Sequence, residues 1–249
     1  MKNLIQRILQ AFLGFERYLY FFSKYKIKTL KWDKGEKDFF YFINLIPKDS
    51  NVLDLGANIG IMTYHLSKHV GLGKVFAFEP IPWNANTLRK IITHHHLENV
   101  SIYEMALGNN SEPLRMVIPV VNGVKKQGLC HVISPDITEF NDGIIVEVEQ
   151  KTIDSMLDLL AAGISAIKID VENFEFQVFK GAEQLILNNR PIIYCELWDN
   201  QNRNNCFNFF KSINYNIMVV FNQNLVNFEP SLHLTQNFIF IPENFNHAK

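Results

Sequence analysis

Three cysteines are too few, and Cys130, Cys195 and Cys206 too scattered, for a disulfide framework or a zinc site. Cys195 lies inside an apolar run and reads as a small buried hydrophobe, so a reducing cytoplasm is the expected setting. No run of about 18 apolar residues exists, which argues against a transmembrane helix. The net charge of -1 gives no overall pull toward nucleic acid or anionic membrane. An Asn-Pro-Pro-Tyr-type motif for a flipped base is missing too, so nucleic acid is not an expected partner. The dinucleotide fingerprint G-x-G-x-x-G is also absent.

In its place stands Val52-Leu53-Asp54-Leu55-Gly56-Ala57-Asn58-Ile59-Gly60, followed by Glu79 at the end of a second apolar run. A strand, a glycine turn, a helix, a second strand and a lone acid describe a βαβ unit built around a nucleoside. The glycines let the backbone come close to a ligand. The acid is placed to accept hydrogen bonds from both ribose hydroxyls. The spacing Asp54-x-Gly56-x-x-x-Gly60 belongs to S-adenosylmethionine enzymes more often than to nicotinamide or flavin enzymes. A phosphate-free ligand also needs no anion-binding helix start.

At 249 residues the chain can bury one sizeable core. Residues 1–47 are expected as a helical extension and 48–249 as the domain. Strands are expected at 51–55, 74–78, 99–105, 164–169, 191–197, 215–221 and 237–241, alternating with helices. That rhythm predicts an α/β fold, a mostly parallel seven-stranded sheet with helices on both faces and an antiparallel edge. Between about 108 and 150 the pattern changes. Asn122-Gly123 and Asn141-Asp142-Gly143 are turn signals, and residues 144–150 alternate apolar and polar. This predicts a small β insert over the carboxyl edge of the sheet, a substrate lid.

The first 34 residues hold Lys2, Arg7, Arg17, Lys24, Lys26, Lys28, Lys31 and Lys34 against Glu16 and Asp33. Leu4, Ile5, Ile8, Leu9 and Phe12 run between them at helical spacing. The charges interrupt the apolar stretch too soon for a signal peptide. Packing on the core or at a homodimer interface is the favoured reading. The alternative is a basic aromatic helix in peripheral contact with an anionic membrane through residues 1–34.

The blocks Asp54-Leu55-Gly56-Ala57-Asn58-Ile59-Gly60-x-x-Thr63, Phe78-Glu79-Pro80, Ala106-Leu107-Gly108, Ile167-Lys168-Ile169-Asp170-Val171-Glu172, Lys180-Gly181-Ala182 and Arg190-Pro191-Ile192-Ile193-x-x-Glu196 occur in this order. Over roughly residues 50 to 200 the chain resembles the FkbM family of S-adenosylmethionine methyltransferases. The resemblance implies a class I (Rossmann-like) methyltransferase fold and O-methylation of a sugar, glycan or secondary-metabolite hydroxyl. One departure is Asn173, where the family usually has glycine. Asn tolerates left-handed backbone angles better than most residues.

For such a ligand, Gly56, Ala57 and Gly60 bring the backbone close, with Asn58 and Thr63 as neighbours and Asp54 ordering the loop or meeting the ligand's amino group through water. Glu79, followed by Pro80, takes the ribose, and Ala106 and Leu107 line the adenine. Asp170 and Glu172, just past the fourth strand, are the candidate bases for a hydroxyl acceptor, and Glu175 is near enough to polarise one of them. Asp170, Glu172 and Glu196 could instead hold a divalent ion, which the pattern permits without requiring. His94-His95-His96 reads as a solvated helix end rather than a metal tract, because successive helical residues point apart. His131, in the insert, is a candidate for the substrate pocket. Lys168 alternates with Asp170 along the strand and is placed to pair with a carboxylate. Alternative readings are a non-catalytic binding or scaffold protein, or a methyltransferase with a protein acceptor.

Overall fold

A computed structural model describes residues 2–134, 137 and 139–245. Positions 135, 136 and 138 of the expected insert, and 1 and 246–249 at the ends of the expected domains, lie outside the described residues. The core strands are β1 (Asn51–Leu55), β2 (Val75–Phe78), β3 (Val100–Tyr103), β4 (Ile164–Ile169), β5 (Ile192–Glu196), β6 (Tyr215–Phe221), β7 (Asn224–Asn227) and β8 (Asn237–Pro242). They form one sheet in the order β7-β6-β8-β5-β4-β1-β2-β3. The five strands from β5 to β3 are parallel, and β8, β6 and β7 add an antiparallel edge.

The α/β fold is therefore as expected, with an eighth strand where seven were foreseen. The extra one, Asn-Leu-Val-Asn, is too short and polar to show an alternating pattern. It forms because Asn222 and Gln223 turn the chain with φ of 49° and 66°. Positive φ at both central positions is the type I′ form of the tight two-residue hairpin.

The helices of the described residues are α1 (Lys2–Leu13), α2 (Phe15–Thr29), α3 (Lys37–Leu45), α4 (Ile61–Val70), α5 (Pro82–His95), α6 (Leu157–Ala161), α7 (Glu175–Lys180), α8 (Glu183–Asn189) and α9 (Gln201–Ser212). They cover both faces of the sheet. On one face Phe179 and Phe210 pack against Phe240. On the other, α3 buries Phe39, Phe42 and Ile43, an i, i+3, i+4 stripe, and Phe42 stacks on Tyr194. A single helix was expected after residue 175, but the chain breaks at Gly181. A Cβ there would lie 1.8 Å from the Gly108 carbonyl oxygen, so the two backbones meet at that point.

In register, Leu55 lies opposite both Phe78 and Ile169, and Ile169 opposite Cys195. The carboxyl ends of four strands thus line up along one edge, where α/β sheets bind ligands. The insert overhangs that edge. Its central strand, Leu114–Val121, pairs antiparallel with Val124–Lys125, His131–Val132 and Gly143–Val148. Ala106–Leu107 and Gln150–Lys151 pair side by side, so the chain leaves and rejoins the core at one place.

The N-terminal segment divides at Gly14, φ 73°. Helix α2 packs on the core: Tyr18 and Leu19 are buried with Ile59, and the Ser23 hydroxyl donates to the Ile59 carbonyl at 2.8 Å. Helix α1 departs from that pattern, because Leu4, Ile5, Ile8, Leu9 and Phe12 are all exposed.

Candidate active site

The glycine loop follows β1. Gly56 (φ 74°), Asn58 (φ 50°) and Gly60 (φ 82°) all take left-handed backbone. Gly56 has no alternative, since a Cβ would lie 1.9 Å from the Asp170 carbonyl oxygen at the tip of β4. The loop is pinned from above and below. Gly56 and Ala57 N–H both donate to the Phe78 carbonyl, at 3.0 and 2.8 Å. Beneath it, Lys168 Nζ donates to the Gly56 carbonyl at 2.8 Å and lies 3.4 Å from Asp54 Oδ1. Thr63 Oγ1 donates to the other Asp54 oxygen at 2.6 Å. Asp54, Thr63 and Lys168 are 0%, 0% and 3% exposed, so all three act on the loop from behind.

Glu79 ends β2 and is almost wholly buried. Its Oε2 accepts from Asn58 N–H at 2.8 Å, and its Oε1 from Ile81 N–H at 2.8 Å and Asn84 Nδ2 at 3.3 Å. The side-chain oxygens of Asn58 and Asn84 are buried without a hydrogen-bond partner. Buried unpartnered acceptors are costly, and these two stand beside the carboxylate.

A cleft of about 650 Å³, counting the solvent at its mouth, opens over the loop. Among the residues first expected around a cofactor, Gly56, Asn58, Glu79, Pro80, Ala106 and Leu107 are on its wall. Ala57, Gly60, Asp54 and Thr63 are not. The insert supplies Met116, Gln127, Cys130 and Val132 to the opposite wall. Among the described residues, neither lysine nor arginine lines the cleft, whereas Glu79, Asp170 and Glu172 do.

Asp170 and Glu172 reach the cleft from the turn after β4. Glu172 and Asn173 are consecutive left-handed residues, at φ 53° and 73°. Backbone of this kind costs of order 1 kcal/mol or more per non-glycine residue and persists only where neighbours hold it. Glu175 does the holding. Its Oε1 accepts from Val171 and Asn173 N–H, both at 3.2 Å, and its Oε2 from Asn202 Nδ2 at 2.6 Å. Asn173 accepts from Asn200 Nδ2 at 2.7 Å, and Asn200 in turn caps α9. The turn thus takes the left-handed form with asparagine in place of glycine.

The Methyltransferase FkbM domain model matches residues 54–225, the stretch that holds every residue of the site just described. The chain belongs to the FkbM methyltransferase family. "Methyltransferase 1" of Beauveria bassiana (strain ARSEF 2860) is 24% identical over 158 residues, 57% of this FkbM chain and 62% of that one. "Methyltransferase sdnD" of Sordaria araneosa is 25% identical over 174 residues, 59% of this chain and 66% of that one. The FkbM chain therefore spans less than two-thirds of the length of these relatives. A crystal structure of Methyltransferase FkbM from Methylobacillus flagellatus KT superposes with a TM-score of 0.53 at 17% identity. It covers 78% of this chain and 44% of that one, and the likeness confirms the class I methyltransferase fold.

Electrostatically the FkbM site is a set of acids under strain. Burial raises Glu79 to about 7, against the N–H groups of Ile81 and Asn58, which lower it. Burial also raises Glu175 to about 7, with Asp170 adding to it. Glu172 and Glu196 are raised by burial and then by the Asp170 charge. Burial alone would lower Lys168, but Asp54 and Asp170 outweigh it and hold the ammonium above its usual range. Among the described residues no group of three or more His, Cys, Asp or Glu side chains is arranged to hold a metal, and Glu196 is not on the cleft wall.

Asn84 and Glu36 are among the residues that escaped the sequence reading. Asn84 was detectable as a polar residue on the otherwise apolar i, i+4, i+7 face of α5, with Leu88 and Ile91. Glu36, from the segment before α3, is close enough to the site for Asp170 and Lys168 to act on its charge. Nothing in its local sequence signals that. His131, by contrast, is 2% exposed, and its ring nitrogens face the Leu129 carbonyl and Asn141 Oδ1 at 2.9 and 3.1 Å. It braces the insert from within and is not on the cleft wall.

The raised acids set the pH response. Glu79 and Glu175 titrate higher folded than unfolded (about 7 against 4.5), so the folded state binds more protons between those values. Their contribution to stability is full below about pH 4.5 and lost as pH rises through about 7. The ligand-free protein should therefore melt on the order of 5 °C lower at pH 8 than at pH 5. Scanning fluorimetry across that range checks it, and the slope should flatten in Glu79→Gln.

Proposed function

We propose that the cleft binds S-adenosylmethionine and that the protein methylates a hydroxyl of a sugar, glycan or secondary metabolite. One observation carries the cofactor: the buried Glu79 carboxylate flanked by the unpartnered oxygens of Asn58 and Asn84. Two acceptors without donors of their own, beside a carboxylate with lone pairs to spare, suit a ribose diol and its neighbours. The acid-lined, base-free cleft also suits a cationic sulfonium and would repel the pyrophosphate of a dinucleotide.

When bound, S-adenosylmethionine supplies an electrophilic methyl group. Glu79 would hold the ribose, the Gly56 backbone would lie under it, and Pro80, Ala106 and Leu107 would give the adenine an apolar bed. Glu172 would take the proton of the acceptor hydroxyl, since burial and neighbouring charge raise its basicity above that of an ordinary glutamate. Glu175 would keep the turn in place. Met116, Cys130 and Val132 would exclude water and shape the acceptor side.

Titration calorimetry with S-adenosylhomocysteine tests the reading. Wild type should bind in the micromolar range. Glu79→Ala should lose about 2 kcal/mol, roughly thirtyfold, as befits a charge-assisted hydrogen-bond pair. Wild type that binds NAD instead, or an undiminished mutant, would overturn it.

A further inference from the structure

We propose that α1 and α2 seat the protein on an anionic lipid surface, with the exposed face of α1 entering the boundary between headgroups and acyl chains. The first ground is that α1 is mounted the wrong way round for a surface helix. Its polar side faces protein: Gln10 Nε2 donates to the Lys125 carbonyl at 3.1 Å, Lys125 N–H donates back to Gln10 Oε1 at 3.1 Å, and Lys126 Nζ donates to Gln6 Oε1 at 2.7 Å. Its apolar side faces outward, with Leu4, Ile5, Ile8 and Leu9 40–61% exposed and Phe12 88% exposed. At 100° per residue these five side chains fall on one continuous face, opposite Gln6 and Gln10. Contiguous exposed apolar faces of this kind mark interaction surfaces.

Charge selects the occupant. Residues 1–34 carry eight basic and two acidic side chains in a chain whose net charge is -1. On α2, Arg17, Phe21, Tyr25 and Lys28 are exposed at i, i+4, i+8 and i+11. Lys31 follows with its ammonium 4.5 Å over the ring of the exposed Trp32. Basic and aromatic side chains beside an apolar face are the composition of helices that lie in a membrane interface. A second copy of this chain, docked two-fold on the same face, would set these positive charges against themselves. An anionic bilayer sets them against opposite charge.

The placement reaches the cleft as well. Residues 125 and 126 hold α1, and the next two, Gln127 and Gly128, are on the cleft wall. A protein seated through α1 would keep that wall close to the lipid surface. The surface argument does not depend on methyl transfer, so it can fail while the cofactor reading stands.

Sedimentation of the full chain with vesicles tests it, comparing phosphatidylcholine alone with phosphatidylcholine containing phosphatidylglycerol, at low salt. Binding should require phosphatidylglycerol. It should fall at least about tenfold in the triple variant Ile5→Asp/Ile8→Asp/Phe12→Asp. Arg17→Gln and Lys28→Gln should each weaken it about fivefold without touching the apolar face. Calorimetry with S-adenosylhomocysteine, unchanged from wild type, would show that the variants fold. Equal sedimentation with both vesicles, or binding undiminished in the triple variant, overturns the proposal. So does absence of vesicle binding combined with a concentration-dependent dimer that the triple variant abolishes, which would assign the face to self-association.

Discussion

Lys168→Met should destabilise the protein by about 3–5 kcal/mol, the usual cost of stripping one partner from a buried ion pair. For a chain of this size that is a fall in melting temperature of roughly 10 °C. The reason lies under the glycine loop. Asp54 is wholly buried, its Oδ2 is satisfied by Thr63, and its Oδ1 has only the ammonium 3.4 Å away. Remove the ammonium and a charge is left in the interior with half its partners gone. The Gly56 carbonyl loses its donor in the same stroke. Urea unfolding of Lys168→Met, Asp54→Leu and the double variant separates the pair from its parts. The double variant should recover much of the loss, because two apolar side chains replace a matched pair rather than orphaning one member. A melting temperature within a degree or two of wild type in Lys168→Met would mean that the loop does not depend on this lysine.

The second large effect concerns turnover. With an acceptor found by screening hydroxyl compounds, Glu172→Gln should lower kcat roughly 10²–10⁴-fold, the range general-base catalysis supplies. Affinity for S-adenosylhomocysteine should stay within about threefold, since the change removes an interaction made in the transition state rather than in binding. The pH profile adds a sharper signature. A base must be deprotonated to act, and burial with Asp170 nearby holds Glu172 above the ordinary glutamate range. Wild-type kcat/KM should therefore climb with pH through neutrality, and the climb should vanish in Glu172→Gln. A wild-type profile flat from roughly pH 6 to pH 9 would remove Glu172 from the role and leave Asp170.

The parts of the molecule visible beforehand are those where backbone constraint writes itself into residue type. The loop was legible because close approach to Asp170 leaves only glycine at 56. Glu79 was legible because a lone acid at the end of an apolar strand has few other uses. The parallel strands were legible because burial on both faces, as in β1, demands continuous apolar runs. What stayed hidden depends on contacts that residue type and pattern do not fix. Glu175 lies three residues from Glu172, yet only the fold shows that its oxygens face Val171, Asn173 and Asn202. The pattern of α1 is amphipathic either way, and which side meets the protein was decided by Gln6 and Gln10 finding residues 125 and 126. Strand β7 depends on a turn of two residues rather than on any pattern of its own.

The side-by-side pairing of Ala106–Leu107 with Gln150–Lys151 has a consequence for how such a chain can evolve. Everything between those two short strands leaves and rejoins the sheet at a single doorway. A segment that joins the sheet at one doorway can lengthen or shorten without shifting any strand of the sheet; its other ties include the Asn58–Gln127 hydrogen bond to the glycine loop and the contacts of residues 125 and 126 with α1. The insert lines the cleft with Met116, Gln127, Cys130 and Val132 while Glu79 comes from the sheet, so under the proposed function a lineage can change what it modifies at little cost to how it modifies it.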